Sequence, residues 1–109
     1  MTDWTTQKCE PCAEGTPPMS EADVLKELQE LAGWNYTDGM IEKTFIFKNY
    51  YETTAFVQAA AWIAHRQDHH PDISFGYKQC QIRYSTHSVG GISRNDLICA
   101  AKTNALLEG

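Results

Sequence analysis

Apolar residues recur at helical spacing in three separate stretches of the chain. The first follows Ser20 and ends near Gly33, the second follows Asn49 and ends before Pro71, and the third follows Ser93. Each opens with a side chain that can cap a helix and has an acidic residue three positions later, which is the arrangement of a capping box. The second must stop early because proline disfavours the helical conformation in the preceding residue. The pattern therefore predicts three helices.

Between the first two helices, "WNYTDGMIEKTFIF" places Asp38-Gly39 between two aromatic or β-branched runs. Both residues tolerate positive φ, so this dipeptide favours a two-residue hairpin turn. The turn predicts that Tyr36 pairs with Ile41, and that Trp34 faces Lys43 across the ladder.

A second alternating stretch separates the second and third helices. Apolar and polar residues alternate from Ile73 to Tyr77 and again from Cys80 to His87, which indicates another hairpin. The predicted order is αββαββα. We therefore expect an α+β fold with one four-stranded antiparallel sheet and three helices packed on one face.

Residues 1–19 contain a glycine and two prolines but no apolar periodicity, so they are predicted to be a flexible N-terminal extension. Residues 20–109 form the single predicted domain. Within the extension, Cys9 and Cys12 have C-x-x-C spacing. We interpret them as incidental thiols on a mobile tail, with weak metal capture or redox chemistry as the alternatives. Cys80 and Cys99 fall inside predicted elements and are expected to be reduced packing residues.

The 109-residue chain carries a net charge of -5, which disfavours direct binding to a nucleic-acid phosphate backbone. No apolar run approaches the roughly 20 residues that cross a bilayer, and the N-terminus lacks the features of a secretion signal. A cytoplasmic protein without membrane association is expected.

All four histidines fall between positions 65 and 87. His65 and His69 are four residues apart and are predicted to share one face at the end of the second helix, with His70 turned away by about 100°. His87 lies at a strand end. If the second hairpin folds beside the second helix, all four imidazoles border one cleft.

Three kinds of chemistry could use such a cluster. A metal site would take His65, His69 and His87 as ligands, but Arg66 adds a positive charge beside them. Nucleophilic catalysis lacks a serine or cysteine in a recognisable nucleophile turn. Acid/base catalysis is favoured, because imidazoles titrate near neutral pH and can hold both protonation states.

Two neighbouring features bear on that chemistry. Gly90-Gly91 offers a stretch of backbone that a flat ligand can approach closely. Asp96 could fix the tautomer of an imidazole, although its capping position also gives it a structural role.

Several of these residues together resemble the signature of the pterin-4a-carbinolamine dehydratase family. The matching parts are "HHP" at 69–71, Tyr77 six residues after the proline, "THSVGG" at 86–91 and Asp96. "FKNY" ahead of the second helix and the element order agree as well, so the resemblance covers about residues 20–107.

The resemblance implies dehydration of a 4a-hydroxytetrahydropterin to the quinonoid dihydropterin, with no metal or organic cofactor. It further implies that His69, His70 and His87 line the pterin pocket as catalytic residues and that Asp96 supports them. On this interpretation His69 and His70 handle the proton at the departing hydroxyl, and His87 moves protons or holds the ring. The expected substrate-binding residues are His65, Pro71, Ser88, Val89 and Gly90.

The chain departs from the family pattern in two places. His65 stands where many relatives carry a glutamate, and Ser88-Val89 stands where many have Asp-Cys. The resemblance also implies a homodimer or homotetramer and a functional link to an aromatic amino acid hydroxylase. The alternative function is a non-catalytic binding module of the same fold, such as a transcriptional coactivator or an assembly factor.

Overall fold

A computed structural model describes residues 3–13 and 15–108 of the chain. It contains the predicted three helices and four strands in the predicted order αββαββα. In chain order they are α1 (Glu21–Leu28), β1 (Asn35–Thr37), β2 (Met40–Ile46), α2 (Tyr50–Gln67), β3 (Asp72–Phe75), β4 (Gln79–Tyr84) and α3 (Arg94–Ala105).

The four strands form one antiparallel sheet in the order β1-β2-β4-β3. Tyr36 pairs with Ile41, as the Asp38-Gly39 turn predicts, and both turn residues have positive φ. β1 begins at Asn35, so Trp34 precedes the ladder instead of pairing within it. β3 and β1 are the sheet edges.

The helices cover one face of the sheet and enclose the hydrophobic core. Burial of this apolar surface is the main force that holds the layers together. α1 ends at Leu28, so it is shorter than the apolar stripe predicts. Leu25 and Ala32, which belong to the predicted stripe, are exposed. The core side chains with less than 2% exposure include Val24, Ile41, Cys80, Ile82, Tyr84, Ile92 and Leu97.

The end of α2 differs from the prediction that His65 and His69 share a helical face. α2 stops at Gln67, and Asp68 adopts the left-handed conformation with φ 51° and ψ 44°. Its backbone N–H closes the helix on the carbonyls of Ala64 and His65. The chain then leaves the helix before Pro71, so His65 lies on α2 and His69 lies beyond it.

The segment before α1 lies against the folded domain. Residues 4–6 form a 3₁₀ turn, and the Trp4 and Cys9 side chains pack against the core. Asn95 on α3 exchanges two hydrogen bonds with the backbone of Glu10, at 3.1 and 2.7 Å. The absence of apolar periodicity could not reveal these contacts, because they depend on single residues. The mobility of this segment stays a prediction.

No helix within residues 3–13 and 15–108 is both long and apolar enough to span a membrane.

Candidate active site

A cavity of about 510 Å³ lies where the α2–β3 connection meets the loop between β4 and α3. His69 and His70 come from the first connection and His87 comes from the second. The structure therefore brings these three predicted residues to one cavity. The walls also include Ser88, which follows His87 in the chain.

His69 is fixed by a buried carboxylate. Its Nε2 lies 2.6 Å from Oδ1 of Asp96, whose side chain is fully buried. The other carboxylate oxygen accepts hydrogen bonds from Thr86 Oγ1 at 2.8 Å and from the backbone N–H of Ser93 at 2.9 Å. The His69 ring stacks on Tyr84 with ring centroids 5.9 Å apart. The carboxylate therefore caps α3 and orients an imidazole at the same time, so the two roles expected of Asp96 are compatible.

The hydrogen bond with Asp96 raises the pKa of His69 above its ordinary value, and burial opposes this rise. The negative charges of Asp96, Cys9 and Asp68 act in the same direction as the hydrogen bond. Because Nε2 is engaged by Asp96, Nδ1 is the nitrogen that changes role. It accepts a proton when the ring is neutral and donates one when the ring is charged.

His70 and His87 are exposed, in contrast to His69. His87 begins a 3₁₀ turn that runs to Val89 and ends at Gly90, which has a positive φ of 73°. The turn is held at its base by the hydrogen bond from Thr86 N to Gly91 O, at 2.7 Å. This local geometry places the His87 side chain at the cavity mouth.

Only one of the predicted substrate-binding residues, Ser88, lines this cavity among the residues that the structure describes. Ser88 lines the cavity with His87, whereas Val89 is buried and belongs to the base of the turn. Gly91 has a packing reason of its own, because a Cβ there would lie 2.9 Å from Pro18 Cβ. Gly90 supplies the left-handed residue that ends the turn.

His65 and Pro71 line a neighbouring hollow of about 480 Å³. His69 and His70 border both spaces, so they form the wall between them. The His65 ring lies beside Trp62, with ring centroids 5.1 Å apart. His65 therefore lines the neighbouring hollow, whereas His87 lines the first cavity.

Sequence reasoning missed several polar residues of the cavity. Arg83 on β4 pairs in register with Asp72 on β3 and Glu42 on β2, and its Nε lies 3.6 Å from Glu42 Oε2. Arg83 and Asp72 line the cavity together with Asp68. The sequence did contain one indication. Arg83, Ser85 and His87 alternate with the apolar residues, so they are expected on the same face of the strand.

A metal site built on His65, His69 and His87 has no support in this geometry. Within the described part of the chain, no three His, Cys, Asp or Glu side chains are grouped so that they could hold a metal ion. A further cavity of about 640 Å³ lies between the N-terminal segment, α1 and the start of α3, and its lining contains no histidine.

The fold and the cavity define an α+β protein with three histidines at one cavity, one of them hydrogen-bonded to a buried carboxylate. The family model described as "Pterin 4 alpha carbinolamine dehydratase" matches residues 17–106. The chain belongs to this family, and the resemblance seen in the sequence is confirmed.

The relatives span the whole domain. A protein of Nitrosospira multiformis named "Putative pterin-4-alpha-carbinolamine dehydratase" is 52% identical, over 97% of this chain and 94% of that protein. A crystal structure of a transcriptional coactivator/pterin dehydratase from Brucella melitensis has a TM-score of 0.78 at 31% identity, covering 82% of this chain and 97% of the other.

A second solved structure is that of a pterin dehydratase-like protein identified as a RuBisCO assembly factor in the alpha-carboxysome. It has a TM-score of 0.58 and 26% identity, and the match covers 70% of this chain and 88% of that one. The fold therefore occurs with more than one described function.

Proposed function

We propose that the protein is a 4a-hydroxytetrahydrobiopterin dehydratase that eliminates water by histidine acid/base catalysis. The observation that carries this proposal is the meeting of His69, His70 and His87 at one cavity, with His69 hydrogen-bonded to the buried Asp96. A binding-only protein of this fold has no chemical need for an imidazole whose proton affinity is set by a buried carboxylate.

The reaction needs one acid and one base. The C4a–O bond breaks readily only if the departing oxygen receives a proton, and N5 must lose its proton as the N5–C4a double bond forms. His69 is suited to the acid role, because the hydrogen bond with Asp96 raises its pKa and favours the protonated ring near neutral pH.

His70 is the adjacent proton carrier and shares the handling of the departing hydroxyl with His69. His87 lies across the cavity and moves the second proton or holds the ring. In this proposal Ser88 contacts the pterin beside His87, and His65 and Pro71, which line the neighbouring hollow, contact it from there. The backbone of Val89 and Gly90 shapes the turn that carries His87.

The test follows the disappearance of freshly generated carbinolamine with the purified protein and with the variants His69→Ala, His70→Ala and His87→Ala. Loss of an acid or base that acts in the transition state is expected to lower kcat by about 10²- to 10⁴-fold. Arg66→Ala is the matched control, because Arg66 is an exposed cationic residue on α2 beside His65. It should leave the rate unchanged.

The same assay separates the enzyme from the alternative, a non-catalytic coactivator or assembly factor. An unaccelerated reaction with folded wild-type protein, or full activity in all three histidine variants, would reject the catalytic proposal. The alternative draws its support from the assembly-factor relative with the same fold.

We also propose that the protein recycles the pterin cofactor of an aromatic amino acid hydroxylase and associates as a homodimer or homotetramer. β3 is a sheet edge, and Phe75 at its end is 46% exposed. Unpaired strand edges with exposed apolar side chains favour association. Light scattering on the eluting protein measures the number of subunits, and a monomer at all concentrations contradicts this part.

A further inference from the structure

A sulfur–sulfur contact joins the N-terminal segment to α3. The Sγ atoms of Cys9 and Cys99 lie 3.5 Å apart, and both thiols are free. The S–S bond of a disulfide is about 2.05 Å long, so a closing motion of roughly 1.5 Å would form one. Cys9 is partly exposed and lies on a surface segment, whereas Cys99 is buried in the helix. The closing motion would therefore be made by the surface segment and not by the helix.

Hydrogen bonds hold Cys9 in this place from two sides. Its backbone N–H donates to Gln67 Oε1 at the end of α2, at 2.9 Å. The next residue, Glu10, is held by Asn95 at the start of α3 through bonds to both its N–H and its carbonyl oxygen. The two thiols are therefore kept together by the fold, not only by their own contact.

The two thiols differ in chemical character. The hydrogen bond from the Cys99 thiol lowers the pKa of Cys9, and the positive charge of His69 acts in the same direction, against the effect of burial. The same hydrogen bond and burial raise the pKa of Cys99. Cys9 is therefore the more readily ionised of the two thiols and also the more exposed one, and a reactive cysteine needs both properties.

We propose that Cys9 and Cys99 are a reversible oxidation site that forms a disulfide between the N-terminal segment and α3 when the protein meets a peroxide. The Cys9 thiolate attacks one oxygen of hydrogen peroxide, the O–O bond breaks, and hydroxide leaves a sulfenic acid on Cys9. The Cys99 sulfur, losing its proton, then attacks the Cys9 sulfur, so that the S–S bond forms and the S–O bond breaks. Two thiols and one peroxide give one disulfide and two waters, and a dithiol reductant reverses the change.

The position of Cys99 connects this site with the histidine cavity. Cys99 follows Asp96 by three residues on α3, and its Sγ lies 4.0 Å from the backbone carbonyl oxygen of His69. The disulfide would fix the segment directly beside the His69–Asp96 pair. The pairing differs from that of a C-x-x-C dithiol, because Cys12 contacts Asn95 Nδ2, at 3.9 Å from its Sγ.

Peptide mapping of the full chain tests the proposal. The reduced, folded protein is treated with a small excess of hydrogen peroxide, the remaining thiols are alkylated after denaturation, and trypsin is added. Cleavage after lysine and arginine separates residues 9–26, 79–83 and 95–102, which carry the four cysteines. We expect peptide 9–26 linked to peptide 95–102, and the free, alkylated peptides after reduction with dithiothreitol. Cys80 is the internal control, because it is fully buried and, unlike Cys99, has no sulfur contact with Cys9, so peptide 79–83 should be recovered unlinked and alkylated.

Variants assign the partner within peptide 9–26, which contains both Cys9 and Cys12. Cys12→Ser should keep the link and Cys9→Ser should remove it. The unfolding temperature of the oxidised wild type should also exceed that of the reduced protein by on the order of 10 °C, since the bridge closes a long loop in the unfolded chain. A Cys9–Cys12 disulfide, a link that survives in Cys9→Ser, or no linked peptide from the wild type would each overturn the proposal. The wild-type measurement needs no substituted protein to fold.

Discussion

On one side of the histidine cavity, the His69 ring is 13% exposed and its Nε2 is held by a carboxylate that accepts two further hydrogen bonds. The rest of the cavity lining is more open, because His70 and His87 are exposed and Arg83 is 43% exposed, with its ion-pair partner at 3.6 Å. The His69 side is preorganised by the core, and the remainder is open to solvent. One imidazole fixed by a carboxylate and two exposed ones suit a site that must hold a proton at one atom and move another.

The largest expected effect on stability comes from removing the carboxylate on the preorganised side. Asp96→Ala leaves the His69 ring, the Thr86 hydroxyl and the Ser93 N–H without their acceptor in a buried place. Each unsatisfied buried group costs about 1–3 kcal/mol. We expect the free energy of unfolding, measured with urea, to fall by about 3 kcal/mol or more.

Asp72→Ala is the matched control for this prediction, since it removes a carboxylate from the exposed wall of the same cavity. Its effect should stay within about 0.5 kcal/mol, as for other exposed substitutions. Equal losses in the two variants would mean that the two sides of the cavity are not built differently.

A smaller effect should appear in the dependence of stability on pH. The pKa of His69 is raised in the folded protein above its ordinary value of 6.5. The proton on His69 therefore stabilises the folded state. This contribution is fully present below about pH 6.5 and is lost as the pH rises through the raised pKa.

Urea unfolding at pH 6 and at pH 8.5 measures this term. The difference in unfolding free energy between the two pH values should shrink in His69→Gln, which keeps a hydrogen-bond donor but cannot titrate. Asp96→Asn should shrink it too, because it removes the charge that favours the imidazolium. If the difference in unfolding free energy between the two pH values is unchanged in His69→Gln, a group other than His69 is responsible for it.

The order of the elements could be predicted because each signal is local: caps at Ser20, Asn49 and Ser93, the Asp38-Gly39 turn and the alternating strands. The end of α2 could not, because the left-handed Asp68 is one residue whose conformation depends on its surroundings. Helical spacing therefore wrongly predicted that His69 lies on the same helical face as His65, whereas α2 ends before His69.

The candidate site divides in the same way. His69, His70 and His87 belong to short motifs that are typical of the family. Arg83 has the pattern of any exposed strand residue, and only the pairing of β4 with β2 and β3 places it in the cavity. The contact between Cys9 and Cys99 spans 90 positions, so no local pattern could indicate it.

The smallest effect is expected at His65, which borders only the neighbouring hollow. Its ring lies beside that of Trp62 at an interplanar angle of 33°, and His69 and His70 line both this hollow and the cavity that contains His87. His65→Ala should raise KM by a few-fold through lost contact with the substrate. It should leave kcat within about twofold, since a group that takes no proton in the transition state adds only uniform binding.

His65→Glu sharpens this comparison, because it puts a carboxylate in the place of the imidazole. Steady-state dehydration rates across pH 6 to 9 should then show a change in the pH profile of kcat/KM with little change in stability, since the position is exposed. A loss of kcat in His65→Ala as large as that in His70→Ala would contradict the assignment of His65 to substrate binding alone. It would make His65 one of the proton carriers. The two hollows would then act as one site, with the histidine pair at its centre and not at its wall.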